Sequence, residues 1–173
     1  LNKGGNLAVW GIGGKSKIDI LISNQKDTSE IDLYGQNDRD QFFKTGMGVA
    51  GVTYTKPLNE TAFIKSTVSG SVEQQYSEHD YIIRHVGSSG EFVLDTTYNF
   101  HRFNFLVSKF SNATYINKKY GKKNVVKAGF NVDYYMTNLK DSAIIDELIP
   151  GNYQQRWNSE ESFLLVQPYI QWK

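Results

Sequence analysis

His79, His85 and His101 fall close together in the chain, and imidazole nitrogens are the first donors to consider for a transition-metal site. They lack the tight ligand spacing of structural zinc sites, and no cysteine is present to complete a set. Solvated loop histidines explain them more simply. Asn37, Asp38 and Asp40 offer oxygens to calcium, but the loop spacing with a closing Glu is missing, so a solvated acidic loop is expected. Gly46-Met47-Gly48-Val49-Ala50-Gly51 has the letters of a dinucleotide fingerprint. That fingerprint works where a strand turns into a helix whose N-terminus meets pyrophosphate, and here Val52-Thr53-Tyr54-Thr55 continues as strand. Gly14-Lys15-Ser16 imitates the end of a phosphate loop, yet Val9 stands where the earlier glycine is needed. Asn59-Glu60-Thr61 and Asn112-Ala113-Thr114 match the glycosylation pattern, with Asn112 in the middle of a strand pattern. No Ser, His and Asp set contains a nucleophile elbow, and no carboxylate pair stands out. The sequence therefore assigns no catalytic or metal residues, leaves the ligand-binding residues open, expects no cofactor, and gives no reason to expect an enzyme.

The elements that must position these residues are strands. From Ile64 to Tyr76 the even positions Ile64, Val68, Gly70, Val72 and Tyr76 alternate with Lys65, Thr67, Ser69, Ser71, Glu73 and Gln75. Later, Val126, Ala128, Phe130, Val132, Tyr134 and Met136 alternate with Lys127, Gly129, Asn131, Asp133 and Thr137. This is period two. A soluble sandwich would bury the apolar face, and a membrane barrel would turn it to lipid around a wet lumen. Both arms exceed the roughly 9 to 11 tilted residues that a bilayer requires.

In chain order, residues 4–13 read as a glycine-loosened strand, and 14–44 as a polar excursion with local order only at Ile18–Ile22. Residues 45–56 form a second strand, and Pro57-Leu58-Asn59-Glu60 a tight reversal. The next arm climbs past Asp80 to a tip at Gly87-Ser88-Ser89-Gly90. Residues 103–117 descend with Phe103, Phe105, Val107, Ala113 and Tyr115 on one face, interrupted by Lys109 and Ser111. Tyr120-Gly121-Lys122-Lys123-Asn124 makes the second tight turn, in which Lys122 and Lys123 read as solvated. After another excursion, carrying Pro150-Gly151-Asn152, Leu164 to Trp172 forms a last strand whose Pro168 marks an irregular position. Loops over 14–44, 77–102 and 139–161 thus gather at one end and tight turns at the other, the asymmetry of outer-membrane barrels. Six strands fall short of the roughly 8 that close the smallest bacterial barrels. The reading is all-β: an antiparallel up-and-down meander of about six long strands, forming a sector of a transmembrane barrel with long outer loops.

Composition agrees. Aromatics reach 14% in a chain only 39% hydrophobic, which suits strands with one wet face and aromatic belts at two interfaces. A net charge of +1 supplies no global field for nucleic acid or an anionic membrane surface. No apolar run is long enough for a transmembrane helix. The chain opens on Leu1-Asn2-Lys3 without a leader and closes on Gln171-Trp172-Lys173 inside a strand-like pattern, so a piece of a longer polypeptide is expected.

Gly11-Ile-Gly-Gly-Lys-Ser-Lys-Ile-Asp, Leu33-Tyr-Gly-Gln-Asn-Asp-Arg-Asp, Met47-Gly-Val-Ala-Gly-Val-Thr-Tyr, Asp80-Tyr-Ile-Ile-Arg-His, Ala113-Thr-Tyr-Ile-Asn-Lys-Lys-Tyr, Arg156-Trp-Asn and Gln167-Pro-Tyr-Ile-Gln-Trp-Lys resemble barrel segments of TonB-dependent receptors of Bacteroidetes, over nearly the whole chain. The resemblance implies a plugged barrel of about 22 strands in the outer membrane, taking up a scarce ligand with energy delivered through TonB. Residues 1–173 would then be one partial barrel domain, without the plug and the remaining strands. Its partners would be outer-membrane lipid, TonB through the missing plug region, an unidentified transported ligand and a surface lipoprotein lid; nucleic acid is not among them. Ligand contact is expected on the outer loops and on lumen residues such as Lys65, Glu73, Asn131 and Asp133.

Overall fold

The computed structural model describes residues 4–29, 35–145 and 151–173. Six strands dominate them: β1 (Asn6–Ile20), β2 (Arg39–Asn59), β3 (Ala62–Val86), β4 (Phe92–Tyr120), β5 (Asn124–Ile144) and β6 (Tyr153–Trp172). They form one open antiparallel sheet in the order β1-β2-β3-β4-β5-β6, so the all-β up-and-down meander is present. β3 and β4 reach 25 and 29 residues, several times the roughly 5 to 6 usual in globular domains.

The strands are longer than their hydrophobic pattern. β1 continues to Ile20 and β2 begins at Arg39, which shrinks the excursion expected over 14–44 to 21–38. β3 and β4 stay paired as far as Val86 and Phe92, so a tip at 87–91 replaces the loop expected over 77–102. β5 and β6 absorb most of 139–161 and leave 145–152. Glu30, Leu33, Tyr34 and Pro150, which the sequence places in loops, lie outside the described residues. Beyond Tyr76 the apolar alternation gives way to Glu78, Asp80, Arg102 and Asn104, but each further pair still satisfies backbone N–H and C=O groups. The ladder therefore outruns the pattern.

The β2–β3 turn is Glu60-Thr61 rather than Pro57–Glu60. Asn59 Oδ1 accepts from the Thr61 N–H at 2.9 Å and from its hydroxyl at 3.0 Å, and this side-chain mimic of a backbone turn fixes the reversal. Pro57 lies inside β2 opposite Phe63, where the register shifts between Pro57 and Asn59. A residue without an N–H is tolerated at such an irregularity. The β4–β5 turn centres on Gly121 at φ 65°, a left-handed conformation that a glycine adopts without steric cost.

Directly paired residues share a face of the sheet, so the registers assign faces without ambiguity. Ile64, Val68, Val72, Ile116, Phe110, Val126, Phe130, Val132, Tyr134, Leu164, Val166 and Ile170 project from one side, together with Tyr54, Val52, Val9 and Leu7. Nothing covers them among the described residues: Val68 is 56% exposed, Phe110 59%, Ile170 75% and Val9 76%. The opposite face is polar across β3–β5, with Lys65, Glu73, Ser111, Asn131 and Asp133, and apolar at its flanks, at Ile12 and Met47 and again at Phe163 and Leu165. Lys109 and Ser111 do not interrupt β4. They lie on this second face with Phe103, Phe105 and Val107, so that aromatic row belongs to the polar side rather than to the apolar band.

Among the described residues most of the buried apolar side chains, Ile22, Ile82, Ala143 and Ile144, sit at the loop end. Ile22 is 1% exposed and Ile82 5%, because residues 22–27 and 37–38 lie against the loop ends of β2, β3 and β4. Ser23 donates its N–H and hydroxyl to Asp40 at 2.8 and 2.6 Å, Ile82 N–H reaches Asp38 O at 2.8 Å, and Arg84 bonds the carbonyls of Ile22 and Asn37 while stacking 3.7 Å over Phe92.

In the middle of the sheet, a Cβ at Gly129 would lie 2.4 Å from Thr114 O and 2.9 Å from Tyr115 Cα. Gly129→Ala must push β4 and β5 apart, and we expect it to cost about 1 to 3 kcal/mol, read as a lowered denaturation midpoint by circular dichroism. An unchanged midpoint would contradict the β4–β5 register.

Candidate functional site

Three β-bulges mark the loop end, and each frees a side chain for chemistry. Between β3 and β4 the register shifts at His79/Asp80 and Ile83/Arg84, leaving Phe100 and Asp95 as the extra residues. Between β5 and β6 it shifts at Asp141/Ser142, leaving Arg156. Asp95 receives His85 Nδ1 at 2.9 Å. Arg156 donates Nε and Nη2 to the two oxygens of Asp141, both at 2.7 Å, and Nη2 also lies 2.8 Å from His101 Nε2. A guanidinium only donates, so His101 Nε2 must present its lone pair. Its 3.4 Å approach to Asp141 is then a contact of two acceptors around one donor, not an ion pair.

Around this triad runs a chain of rings on the polar side of the sheet. Phe43 meets His79 edge-on at 5.7 Å, His79 meets His101 at 4.9 Å, His101 leads to Phe103 at 6.0 Å, and Phe103, Phe105 and Trp157 continue as a stack at 4.8 and 6.2 Å. Phe100 closes the cluster from the bulge, with Arg39 4.7 Å above its ring. The chain crosses from β2 to β6 and ends on Trp157, 61% exposed.

Neither ring nitrogen of His79 has a partner among the described residues, and Ser77 Oγ beside it is also buried and unpaired. Burial, with the positive charge of Arg39 nearby, lowers the His79 pKa from 6.5 to about 4. Asp141 is held below the usual carboxylate range, chiefly by its bonds from Arg156, and Arg156 is raised by the same bonds. These groups lie beyond the apolar band, which ends near Gln74, Leu106 and Asn138.

The histidines singled out in the sequence are thus divided: His79 and His101 meet, while His85 pairs with Asp95 farther up the hairpin. Asn37, Asp38 and Asp40 diverge as well. Asp38 grips Arg39 with two bonds of 2.7 Å, Asp40 holds Ser23, and Asn37 gives its carbonyl to Arg84. No group of three or more metal-binding side chains gathers among the described residues. Gly46–Gly51 and Gly14-Lys15-Ser16 lie within β2 and β1, away from any helix. Asn112 is mid-β4 and paired with Val68, and Lys122 and Lys123 are exposed in their turn. Lys65, Glu73, Asn131 and Asp133 do share one face, where Ser111 donates to Asp133 at 2.5 Å. Arg156, Asp95 and Phe100 escape sequence reasoning because a bulge leaves no periodic signal; only the aromatic spacing of Phe103 and Phe105 hints at the cluster.

The unfolded His79 takes a proton near pH 6.5 and the folded one near 4. Between those values the unfolded chain binds more protons at this residue, so the His79 contribution lowers stability as the pH drops from about 6.5 to about 4 and adds nothing further below. The wild-type midpoint should fall more steeply over that window than that of His79→Phe, in matched thermal denaturation; parallel profiles would contradict a buried, unpartnered ring. No family model, curated protein or solved structure matches the chain.

Proposed function

We propose that residues 1–173 form a sector of the wall of an outer-membrane β-barrel, within a plugged receptor of the TonB-dependent type that imports a scarce ligand. The observation that carries this reading is the uncovered apolar face. On β5 it runs from Val126 to Met136. At about 3.3 Å per residue this makes ~33 Å of strand, which a tilt of ~40° reduces to ~25 Å, the height of a barrel's outer apolar band. A sandwich core would need a second sheet about 10 Å away, and the described residues form one sheet.

Three further features support it. Tight turns at Glu60-Thr61 and Gly121-Lys122-Lys123 occupy one end, and the longer 21–38 and 145–152 connections the other, as periplasmic turns and outer loops do. Tyr120 and Trp172 sit at the tight-turn rim, 50% and 76% exposed, where interfacial aromatics belong. The polar side of β3–β5 suits a wet lumen. The receptor type rests on the sequence resemblance. In this reading the apolar face meets lipid, ligand contact falls on the opposite face and its ring cluster, and the plug, its TonB contact and any lipoprotein lid come from polypeptide outside this chain.

The native polypeptide should be found in the outer-membrane fraction as a band whose apparent size shifts on boiling, detected with an antibody against 145–152; a band in the soluble fraction would overturn the proposal. Val68→Arg and Val132→Arg should each destabilise folding in lipid by roughly 2 to 4 kcal/mol, and Ser69→Arg, on the opposite face, by much less. Equal effects would contradict the assignment of the faces.

A further inference from the structure

Charge is spread unevenly along the strands. The whole chain holds 19 basic and 18 acidic residues, but from the row of Lys65 to the two tight turns the described residues hold eight lysines and one carboxylate, Glu60. Two of the eight, Lys56 and Lys118, project from the apolar face. Lys56 shares a row with Ile64, Ile116 and Ala128, and Lys118 shares one with Ala62 and Val126. Both are exposed, and neither makes an ion pair among the described residues. On that face no carboxylate intervenes between these lysines and Glu160, which stands in the row of Gln74 at the opposite margin of the band. Lys118 Nζ lies 4.7 Å over the Tyr120 ring, and Lys122 and Lys123 are exposed in the turn below.

We infer that Lys56 and Lys118 hold the phosphate of an anionic phospholipid in the leaflet on the tight-turn side, an inference that rests on the proposed barrel reading. Depth decides whether lysines on different strands can act together. Rows run perpendicular to the strands, so a tilt of ~40° shifts a row along the barrel axis by about 3 Å per strand. The turns give the sense of that shift: β2 ends at Asn59, in the row of Lys118, whereas β4 runs two residues farther, to Tyr120. For both turns to lie at one rim, the rows must rise toward the loops from β2 to β4. Over two strands Lys118 gains about 6 Å, and it loses about 5 Å by lying two residues nearer the turn than Ile116, the β4 member of the Lys56 row. The two lysines therefore stand at nearly the same depth. Their backbones are about 12 Å apart, a span that two flexible stems can close on one phosphate, with Ala62 and Ile64 between them to meet the acyl chain. Charge complementarity and continuity with the apolar band favour this occupant over a soluble anion.

The test places a fluorophore on Ile116→Cys in the full-length protein, reconstituted into phosphatidylcholine vesicles with a minor share of phosphatidylglycerol. Bromine near the headgroup end of the acyl chains is carried by one lipid or the other, and the two quenching levels give the local preference for the anionic lipid. Phosphatidylglycerol should be enriched at the label over its share of the vesicle. Lys56→Gln/Lys118→Gln should lower that enrichment, by roughly fivefold for each lysine engaged, and Lys56→Arg/Lys118→Arg should preserve it, since the charge and donors remain. Lys65→Gln/Lys127→Gln removes equal charge from the opposite face in neighbouring rows and should leave it nearly unchanged. Inorganic phosphate at constant ionic strength should not displace the lipid, because the acyl chain holds it too. No enrichment in the wild type, full enrichment in the Gln pair, an equal loss in the opposite-face pair, or displacement by free phosphate would each overturn the inference. Failure of the barrel reading would show separately, as a label that neither brominated lipid quenches.

Discussion

A sheet one layer thick has nowhere of its own to put an apolar face. That constraint governs this structure. Six strands satisfy one another's backbone groups across the sheet, and the side chains of β3, β4 and β5 then divide into an apolar side and a polar side. Burial of a side chain such as Val68 or Phe110 would contribute about 1.5 to 3 kcal/mol, and the described residues leave both more than half exposed. Whatever surrounds the sheet completes its energetics. In the proposed reading that surrounding is lipid, matched to the band's height and its tyrosine and tryptophan rim.

Beyond the band the physics changes. The strand extensions lose the apolar alternation, and order there comes from specific contacts rather than from a pattern. Asp40 anchors the 21–38 connection through Ser23, Arg84 ties it to β3, and three bulges turn Asp95, Phe100 and Arg156 toward histidines or rings. The Asp141–Arg156 pair is therefore a local clamp between β5 and β6 that also fixes which nitrogen of His101 accepts. In the same cluster the ring nitrogens of His79 are buried without a partner among the described residues, and burial there works against protonation.

How much of this is legible in the sequence follows the same division. The alternations over 64–76 and 126–136 mark strands, faces and meander, because a half-apolar environment imposes period two. Outside it, Glu78, Asp80 and Arg102 look like loop residues, and the expected loops are too long at every outer connection. Pro57 misdirects the first turn, since a proline invites a turn reading while the fixing contact is the side chain of Asn59. Phe103 and Phe105 are recognisable as one face of a strand, but only the register with β3 shows that they share it with Glu73 and Gln75. Arg156 and Asp141 stand in a segment that reads as a polar excursion, and nothing in their spacing reveals a bulge between them.

The central claim is that the face bearing Val68 and Val132 is the lipid-facing one, and the absence of cysteine allows a direct measurement. Single cysteines at 68, 70 and 132, and at 69, 71 and 133, would each carry a small fluorophore in the full-length protein reconstituted into bilayers with brominated acyl chains. The account predicts strong quenching at 68, 70 and 132 and little at 69, 71 and 133, alternating residue by residue. Uniform quenching, no quenching, or the inverse alternation would contradict it.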